Sequence, residues 1–349
     1  MIASTTLTGS NADIIRDALA SVVAHVDRCI VIDTGAEDDT LAVAREVAGE
    51  KLLVREFPWR NDFAAARNFA LQAATEAGAR WAVTVDTDER LVFAEGLDFR
   101  RALDRTKARV LLVAQADGSY AKERIVRLPT KARWEGPTHE ALVGRNRGDS
   151  ETLQGVWFRE LLKDAAATRR KFERDVAILT DYVAEHPQNP RWHYYLGASL
   201  HDLRRYEEAI ASFKACAALG GWAEEGAWAC YRAAECCCEL KRWKEAVELC
   251  AQGLAIHPAT AELAWLAGWA SFQARRYEDA IAWSNMAVVN GFYDGAGAGF
   301  ERIGFRNTSA LYEGPYEVLR WTFDRLGQRE AARAAGQEYA AAKKAREKK

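Results

Sequence analysis

Hydrophobic and polar positions follow one pattern up to about residue 160 and a different pattern from about residue 168 onward. In the first part, short apolar runs alternate with longer stretches in which apolar residues recur every three or four positions, which predicts alternating strands and helices. The predicted strands are IASTTLT, RCIVID, KLLVREF, WAVTVD, RVLLVAQ and ERIVRLP; the predicted helices are NADIIRDALASVVAHV, DDTLAVAREVAG and DFAAARNFALQAATEAG. Such alternation favours βαβ units and a mostly parallel sheet covered by helices.

One predicted strand runs directly into acidic residues. Residues 81–91 read WAVTVDTDERL, so the apolar run is followed at once by Asp86, Asp88 and Glu89. Ligands of parallel sheets bind at the carboxyl ends of the strands. Carboxylates this closely spaced suit hard divalent cations, although an Asp-x-Asp pair is also common in turns and helix caps. We therefore expect a ligand site at this edge of the sheet.

The second part of the chain contains only helical patterns, and these patterns repeat. Each repeat has an aromatic residue three positions before an alanine: Tyr206 and Ala209, Trp243 and Ala246, Tyr277 and Ala280. The repeats resemble the tetratricopeptide repeat, whose small residues allow two antiparallel helices to pack closely. We expect a half-repeat at residues 168–185, a glycine-rich break at residues 291–309, and two capping helices near residues 314–327 and 329–345.

Composition and charge narrow the class of protein. The 349 residues are 49% hydrophobic and 28% charged, with a formal net charge of −2. This is typical of a globular protein and lacks the basic excess of a nucleic-acid binder. With no apolar run of 18 residues and no secretory segment, we expect a cytoplasmic protein without an integral membrane segment. Three consecutive cysteines, Cys236 to Cys238, cannot converge on one metal from a helix, so we expect reduced, buried thiols.

Four segments resemble the family 2 glycosyltransferases, which have the nucleotide-sugar-binding sheet called GT-A. They are VIDTGAEDDT (31–40), WRNDFAAARNFAL (59–71), WAVTVDTDERL (81–91) and WEGPTHEAL (134–142). The resemblance is narrower to a bacterial β-1,4-glucosyltransferase-like branch, some members of which carry tetratricopeptide repeats. It implies a GT-A domain over residues 1–160, with its sheet sandwiched by helices. An all-α repeat solenoid over residues 168–290 and a loop with capping helices over residues 291–349 would follow.

The same resemblance implies a binding site for the donor, a UDP-sugar of glucose or N-acetylglucosamine type. Thr6 and Thr8 would lie beside the base, and Asp33 would accept a hydrogen bond from the uracil ring. Arg67 could meet the diphosphate as a fork of donors or pair with Asp62. Asp86 should contact the ribose or the metal. In the same segment as Asp33, Asp38 and Thr40 could bind ligand or cap the following helix, and capping is favoured.

The resemblance also implies a Mn2+ or Mg2+ ion held by Asp86, Asp88 and His139, with Glu140 as the general base. Glu123 is the rival base, and an ordinary solvent-facing strand position is the other interpretation of that residue. Trp134 could floor the acceptor pocket or belong to the core. The aromatic residues of the repeats could likewise line a groove or simply pack: Trp192, Tyr194, Tyr195, Trp228, Trp265 and Trp269.

These features together predict an inverting, metal-dependent glycosyltransferase with a polypeptide or glycan acceptor, possibly docked on the repeats; a homodimer is compatible with them. A Ser, Thr or Cys side chain and a sugar hydroxyl, including one of lipopolysaccharide core, stay open as acceptors. Two departures from the family pattern, NAD at 11–13 for NEE and DTGAEDDT for DTGSTDGT, leave the sugar undetermined. The alternatives are a non-catalytic adaptor and a nucleotidyltransferase. The latter normally needs a glycine-rich basic loop, and TLTGSNAD has one glycine and no Lys or Arg.

Overall fold

The computed structural model describes residues 1–146, 148–293 and 304–348. Within these residues the chain forms two compact units, Met1–Ala167 and Thr168–Lys349, which are described separately.

The first unit is built on an eight-stranded sheet with helices between the strands. Its strands, including a separate two-stranded ribbon formed by β8 and β9, are β1 (Ile2–Thr8), β2 (Arg28–Asp33), β3 (Leu52–Glu56), β4 (Trp81–Thr84), β5 (Glu89–Phe93), β6 (Val110–Gln115), β7 (Ala121–Arg127), β8 (Arg133–Glu135), β9 (Ala141–Val143) and β10 (Ser150–Glu160). Its helices are α1 (Ile15–Ala20), α2 (Thr40–Ala48), α3 (Phe63–Glu76) and α4 (Phe99–Arg105). The α5 helix (Ala165–Glu185) begins at the end of this unit.

The order of the strands in the main sheet is β3-β2-β1-β4-β7-β6-β10-β5. The four strands from β3 to β4 are parallel, β7 runs antiparallel to both of its neighbours, and β10 is parallel to β6. The prediction of a mostly parallel sheet is therefore confirmed. The β4 strand is buried at all four positions, as its apolar sequence predicts for a central strand.

Side chains alternate between the two faces of the sheet, and both faces are covered. On β4, Trp81 and Val83 pack into one apolar cluster with Leu103 of α4, whereas Ala82 packs into a second cluster with Ala70 of α3. Because successive strand residues point to opposite faces, helices are needed on both sides to bury them. The result is the predicted sheet sandwiched by helices.

Several elements of this unit differ from the sequence prediction. The helix expected over residues 11–26 is short: α1 ends at Ala20, and a 3-10 turn follows at Val23–His25. The strand expected over WAVTVD ends at Thr84, so Asp86 lies in the turn beyond it. The sequence pattern did not predict strands β5, β8, β9 and β10 or the α4 helix. The eleven residues of β10, SETLQGVWFRE, begin with three polar residues and carry several exposed side chains, so no regular strand pattern marks this strand, which lies between β6 and β5.

The second unit consists of helices. They are α6 (Pro190–Asp202), α7 (Tyr206–Leu219), α8 (Ala223–Glu239), α9 (Trp243–Ile256), α10 (Ala261–Gln273), α11 (Tyr277–Tyr293), α12 (Thr308–Leu311), α13 (Gly314–Arg325) and α14 (Arg329–Arg346), preceded by most of α5. Each predicted repeat is a helix pair: α6 with α7, α8 with α9, and α10 with α11. The three repeats are therefore confirmed, as are the two helices that follow. The glycine-rich stretch predicted at residues 291–309 lies partly outside the described residues.

The three repeats share one turn geometry, and a fourth helix pair has it too. The turn of each repeat contains a left-handed residue, Arg204 (φ 60°), Lys241 (φ 59°) or Arg275 (φ 61°), and the α13–α14 turn contains Gly327 (φ 72°). In all four turns the next two residues lead into the second helix of the pair. Ala332 of α14 is buried at the position that Ala209, the template alanine, holds in the first repeat. The α13–α14 pair is thus a degenerate fourth repeat rather than an unrelated cap.

The cysteines and the repeat aromatics are mainly packing residues. The seven cysteines are free thiols, and six of them are buried. The prediction of buried thiols therefore holds for Cys236 and Cys237, whereas Cys238 is half-buried. Burial raises the pKa of Cys236 to about 12. The six repeat aromatics predicted either to line a groove or to pack all lie in or against the apolar core of this unit. Among the described residues, no helix is both long enough and apolar enough to cross a membrane.

Candidate active site

The predicted donor residues are brought together at the carboxyl edge of three neighbouring strands. In the sheet β1 lies between β2 and β4, and all three are parallel. Thr8, the last residue of β1, is paired with Asp33, the last residue of β2. Asp86 and Asp88 follow the end of β4. Parallel strands present their carboxyl ends at the same edge, so this edge gathers two of the four motifs found in the sequence together with the end of β1.

Asp33 and Thr8 form the part of the edge predicted to hold the base. Oδ1 of Asp33 accepts hydrogen bonds from the backbone nitrogens of Gly35 (2.9 Å) and Ala36 (2.8 Å). These bonds fix the carboxylate, and the described part of the chain supplies no donor to Oδ2. Thr6 lies two residues further inside the sheet, and both threonines are nearly inaccessible, at 1% and 2% exposed. Of the two threonines, only Thr8 stands at the edge itself.

Asp38 and Thr40 act structurally, as favoured by the sequence. One oxygen of Asp38 accepts from the Thr40 nitrogen (2.9 Å) and from its hydroxyl, and the other accepts from the Ala12 nitrogen (3.1 Å). These bonds order the entry to α2 and tie it to the loop after β1. Both oxygens of Asp38 are therefore engaged by the protein itself.

Arg67 joins two of the predicted site residues. Its two terminal nitrogens donate to the two oxygens of Asp86 (2.9 and 3.1 Å), and its Nε donates to Oε1 of Glu140. The alternative partner, Asp62, instead caps α3 by accepting from the Ala65 nitrogen (2.8 Å). Arg67 is buried, so it sits as a charged bridge between the turn after β4 and the segment WEGPTHEAL. The Asp62 alternative is wrong.

Asp86 is held by a second arginine that the sequence analysis missed. Arg124 of β7 is buried; its Nη2 donates to Oδ2 of Asp86 (2.9 Å) and to Glu89. Burial acts to raise the pKa of Asp86, but attraction to Arg67 and Arg124 outweighs it and holds that pKa well below its usual range. Lys122, two residues before Arg124 on the same strand face, donates to Glu89 (3.0 Å). The signal was available in the sequence, because KER in a strand places Lys122 and Arg124 on one face.

Asp88 differs from Asp86 in its surroundings. Its Oδ2 lies 2.7 Å from the ammonium nitrogen of Lys163, which is itself well exposed, and the Asp88 side chain is 30% exposed. An exposed lysine is a point charge on a flexible stem and exchanges partners readily. Asp88 is therefore the more accessible of the two aspartates, whereas both oxygens of Asp86 are already bound by guanidinium groups.

The segment WEGPTHEAL is attached to the helix of another motif. The side-chain nitrogen of Asn68 donates to the Trp134 carbonyl (2.9 Å), and the Trp134 nitrogen donates to Oδ1 of Asn68 (2.8 Å). The Phe63 nitrogen donates to the Pro137 carbonyl (2.8 Å). Trp134 is buried in the core next to α3, with the Arg67 guanidinium over its ring, which supports the core interpretation. His139 adopts a left-handed backbone conformation (φ 51°) in the turn just before Glu140.

Glu123, the rival base, belongs to a different group of residues. It lies on β7 between Lys122 and Arg124, so its side chain points to the opposite face of the strand. Arg145 donates to its Oε1 (2.6 Å) and also to the Ser150 hydroxyl (2.7 Å). Glu140 shares a network with Asp86, and Glu123 does not.

Comparison with known proteins agrees with this geometry. Residues 8–154 match the sequence profile of the family described as glycosyl transferase family 2. The first unit is a family 2 glycosyltransferase domain. The match begins at the last residue of β1 and ends six residues before the end of β10, so it covers strands β2 to β9 and the site residues from Thr8 to Glu140.

Two curated relatives extend the similarity beyond this glycosyltransferase domain. A TPR repeat-containing protein of Synechococcus elongatus is 31% identical over 194 residues, which are 51% of this chain and 47% of that protein. The SPbeta prophage-derived glycosyltransferase SunS of Bacillus subtilis is 26% identical over 222 residues, 57% of this chain and 49% of that protein. The chain thus spans about half the length of each relative. Together with the helix pairs, these matches confirm a family 2 domain fused to tetratricopeptide repeats.

Among solved structures, the crystal structure of MamA is similar over 54% of this chain and 100% of its own, at 15% identity and a TM-score of 0.41. A TM-score this low carries no argument about either unit.

Proposed function

We propose that the family 2 domain transfers a sugar from a UDP-sugar to a nucleophilic acceptor, with inversion at the anomeric carbon. The observation that supports this most strongly is the meeting of Thr8, Asp33, Asp86 and Asp88 at one edge of three parallel strands. A nucleotide sugar needs a site for its base, a site for its ribose and diphosphate, and a base for the acceptor. The same edge offers residues for each of these parts.

Asp33 is suited to recognise the base of the donor. A uracil ring carries one N–H group, and a carboxylate oxygen accepts such a donor well. Oδ1 is fixed by two backbone nitrogens, so the carboxylate is oriented before the ligand arrives. Preorganisation of this kind reduces the entropy lost on binding. Thr8, paired with Asp33 across the two strands, closes the same side of the site.

Asp88 is suited to anchor a divalent cation at the diphosphate. Among the described residues, no group of three or more His, Cys, Asp or Glu side chains could hold a metal. Mg2+ is often bound by only one or two carboxylates, together with substrate phosphates and water, so a single accessible aspartate fits that arrangement. When bound, the cation neutralises charge that develops on the leaving diphosphate. Asp86, with both oxygens bound by arginines, is better placed to position Arg67 than to coordinate a metal. His139, the third ligand expected from the sequence, stays a prediction.

Glu140 is suited to accept the proton of the acceptor. Arg67 binds only its Oε1, and within the described residues Oε2 has no hydrogen-bond donor. As the acceptor oxygen or sulfur bonds to C1 of the sugar, its proton passes to Glu140 and the bond from C1 to the diphosphate breaks, releasing UDP. General-base assistance of this type contributes about 100- to 10,000-fold to rate. Arg67 holds the base and Asp86 in one fixed arrangement.

The acceptor is proposed to be a polypeptide side chain or a glycan. The repeats support a polypeptide, since stacked helix pairs present extended surfaces to binding partners. A lipopolysaccharide core sugar is the other acceptor compatible with the residues of the domain. Incubation with labelled UDP-glucose or UDP-N-acetylglucosamine and host extract, followed by mass spectrometry of the labelled fraction, distinguishes a modified protein from a modified glycan.

The decisive experiment measures UDP release from a panel of UDP-sugars with Mn2+, with Mg2+ and with EDTA. We expect release that requires the cation and falls by at least about 100-fold in Asp88→Asn. The matched control is Asp104→Asn, which removes a carboxylate from the exposed surface of α4 and should leave the rate unchanged. Full activity in EDTA would refute the proposed requirement for a divalent cation. No release from any UDP-sugar by the folded wild type would favour the non-catalytic adaptor.

A further inference from the structure

The chain that leaves the last strand of the sheet passes directly beside Asp88. In the pairing of β10 with β5, Glu160 at the end of β10 lies opposite Glu89, the residue after Asp88. The next residue, Leu161, donates its backbone nitrogen to the Asp88 carbonyl (2.8 Å). Residues 161–164 have no regular secondary structure and lead into α5. We call these four residues the β10–α5 link.

Both ends of the β10–α5 link are tied down. At its start, Lys122 donates to both Glu160 and Glu89, so it bridges two neighbouring carboxylates at the end of β10. At its end, Asp164 caps α5 by accepting from the Ala167 nitrogen (2.6 Å). The main chain of the link is therefore held in place beside the turn after β4.

Lys163 lies inside this link and is paired with Asp88. Its Nζ lies 2.7 Å from Oδ2 of the aspartate. Lys163 is only two residues beyond Leu161, which corresponds to roughly 7 Å along an extended chain. Its ammonium is carried on a flexible four-carbon stem, so it stays near Asp88 even when the ion pair breaks. Lys163 is thus a cation confined to this edge of the sheet.

The ion pair between Asp88 and Lys163 is suited to an exchange of partners. The two side chains are 30% and 41% exposed, so water screens their attraction and the pair contributes little to stability. The pair between Arg67 and Asp86 is less exposed and two-pronged. A divalent cation at Asp88 would repel the ammonium at this short range, so the two compete for one carboxylate. The lysine then needs another acceptor.

The diphosphate of the donor is the acceptor that suits the released ammonium. Lysine binds phosphate oxygens as a point charge, through short charge-assisted hydrogen bonds. When the bond from C1 of the sugar to the diphosphate breaks, the electron pair stays on the leaving phosphate oxygen. An N–H of Lys163 stabilises that oxygen by donating a hydrogen bond and keeps its own proton, so the step needs no further reactant.

We propose that Lys163 has two partners in turn. In the empty site it pairs with Asp88, and when a divalent cation and a UDP-sugar bind, it gives up Asp88 and donates to the diphosphate. This inference rests on the sugar transfer proposed above and adds a residue that binds the leaving group. It also makes the nucleotide and the cation bind cooperatively, because a nucleotide that draws Lys163 away frees Asp88 for the cation.

The test measures two affinities of the full chain: for Mn2+ alone, by electron paramagnetic resonance of the free ion, and for UDP at saturating Mn2+, by calorimetry. In Lys163→Met, Mn2+ should bind about two- to fivefold more tightly, the range expected for loss of an exposed ion-pair partner. UDP should bind about tenfold or more weakly, because a charge-assisted hydrogen bond is lost. Lys163→Arg keeps a cation and should restore most of the UDP affinity. The matched control is Lys107→Met, in the exposed loop before β6, which should change neither affinity.

Opposite shifts of the two affinities distinguish this role from a structural one, since a loosened link would weaken both. The proposal is overturned when either affinity is unchanged in Lys163→Met or when both weaken. If the wild type binds UDP and releases it from a UDP-sugar while Lys163→Met behaves in one of those ways, only the role of Lys163 fails. A folded wild type that binds no UDP at saturating Mn2+ would overturn the proposed donor as well.

Discussion

Arg67 and Asp86 form a two-pronged ion pair in which each terminal nitrogen of the arginine donates to a different oxygen of the aspartate. The third donor of the guanidinium, Nε, binds Glu140. A planar guanidinium can make all three bonds at once because its donors have a fixed fork geometry. Arg67 therefore fixes the position of the turn after β4 relative to Glu140, the proposed base.

Replacing Arg67 with lysine should strongly slow the proposed sugar transfer without unfolding the protein. Lysine keeps the charge, but a compact ammonium cannot bridge both oxygens of Asp86 and also hold Glu140. A displacement of about 1 Å at a reacting group can cost about 100-fold in rate, so we expect Arg67→Lys to lower kcat by that order. UDP release measures the effect. The control is Arg60→Lys, in the exposed turn before α3. A variant with unchanged kcat would show that the arginine fork does not position the base.

The carboxylate of Asp86 should make stability depend on pH in the acid range. Its pKa in the folded protein lies below that of an unfolded aspartate, about 3.9. A lowered folded pKa gives stability that is fully present above the unfolded pKa and is lost as the pH falls through the folded pKa. The difference in free energy of unfolding between wild type and Asp86→Asn should thus be constant from about pH 7 to 5 and shrink below about pH 4.

Urea unfolding at a series of pH values measures this difference. Asp104→Asn, which removes an exposed carboxylate of α4, should follow the wild type throughout. A difference between wild type and Asp86→Asn that grows as the pH falls would contradict the assignment of Asp86 as an ionised, arginine-bound carboxylate.

The regular parts of the fold were predictable because their side chains repeat with a clear period. Strands β2 and β4 are largely apolar runs buried on both faces, and the repeats carry aromatic and small residues at fixed spacing. The elements missed were those whose pattern is mixed. The β5 strand begins at Glu89, a charged residue that the sequence associates with a turn but which the structure buries beside Arg124.

The sequence predicted which residues belong to the site better than it predicted which of them contact each other. Spacing along the chain predicts that Asp86 and Asp88 share an edge, but not that their partners differ. Arg67 is 19 residues from Asp86 and Arg124 is 38 residues from it, so these ion pairs depend on how β4, β7 and α3 pack. The packing of Phe305 against Tyr194 and Trp228 could not be predicted for the same reason, since these residues lie about 80 to 110 positions earlier in the chain.

The two candidate bases can be separated by two isosteric substitutions. Glu140→Gln keeps an oxygen that can accept from Arg67 but cannot take a proton, so we expect kcat to fall by about 100-fold or more. Glu123→Gln should stay close to the wild-type rate, since Glu123 points to the opposite face of β7. The reverse pattern would make Glu123 the base.

Replacing a left-handed turn residue of the repeats with glycine should raise the free energy of unfolding. Arg204 adopts φ 60°, a conformation that glycine tolerates better than any residue with a Cβ, so Arg204→Gly should stabilise the repeats by about 0.5–1 kcal/mol. The reciprocal change, Gly327→Ala, should destabilise by about 1 kcal/mol, and only through the backbone, because no atom lies within 4 Å of the added methyl group. Thermal unfolding measures both, and shifts of the same sign in the two variants would contradict the shared turn.

An added methyl group should destabilise the repeats where a glycine is tightly packed and should be tolerated where the glycine has free space beside it. A Cβ on Gly197 would lie 2.8 Å from two ring atoms of Phe213, which is fully buried and cannot move aside. Overpacking typically costs about 1–3 kcal/mol, more than the roughly 1 kcal/mol by which alanine favours a helix over glycine. Gly197→Ala should therefore lower the unfolding temperature. Gly336 of α14 is the matched control: its nearest neighbour is the flexible Arg320 side chain at 3.5 Å, so Gly336→Ala should stabilise by about 0.5–1 kcal/mol. Stabilisation by both alanines would show that α6 and α7 do not need a glycine at their point of closest approach.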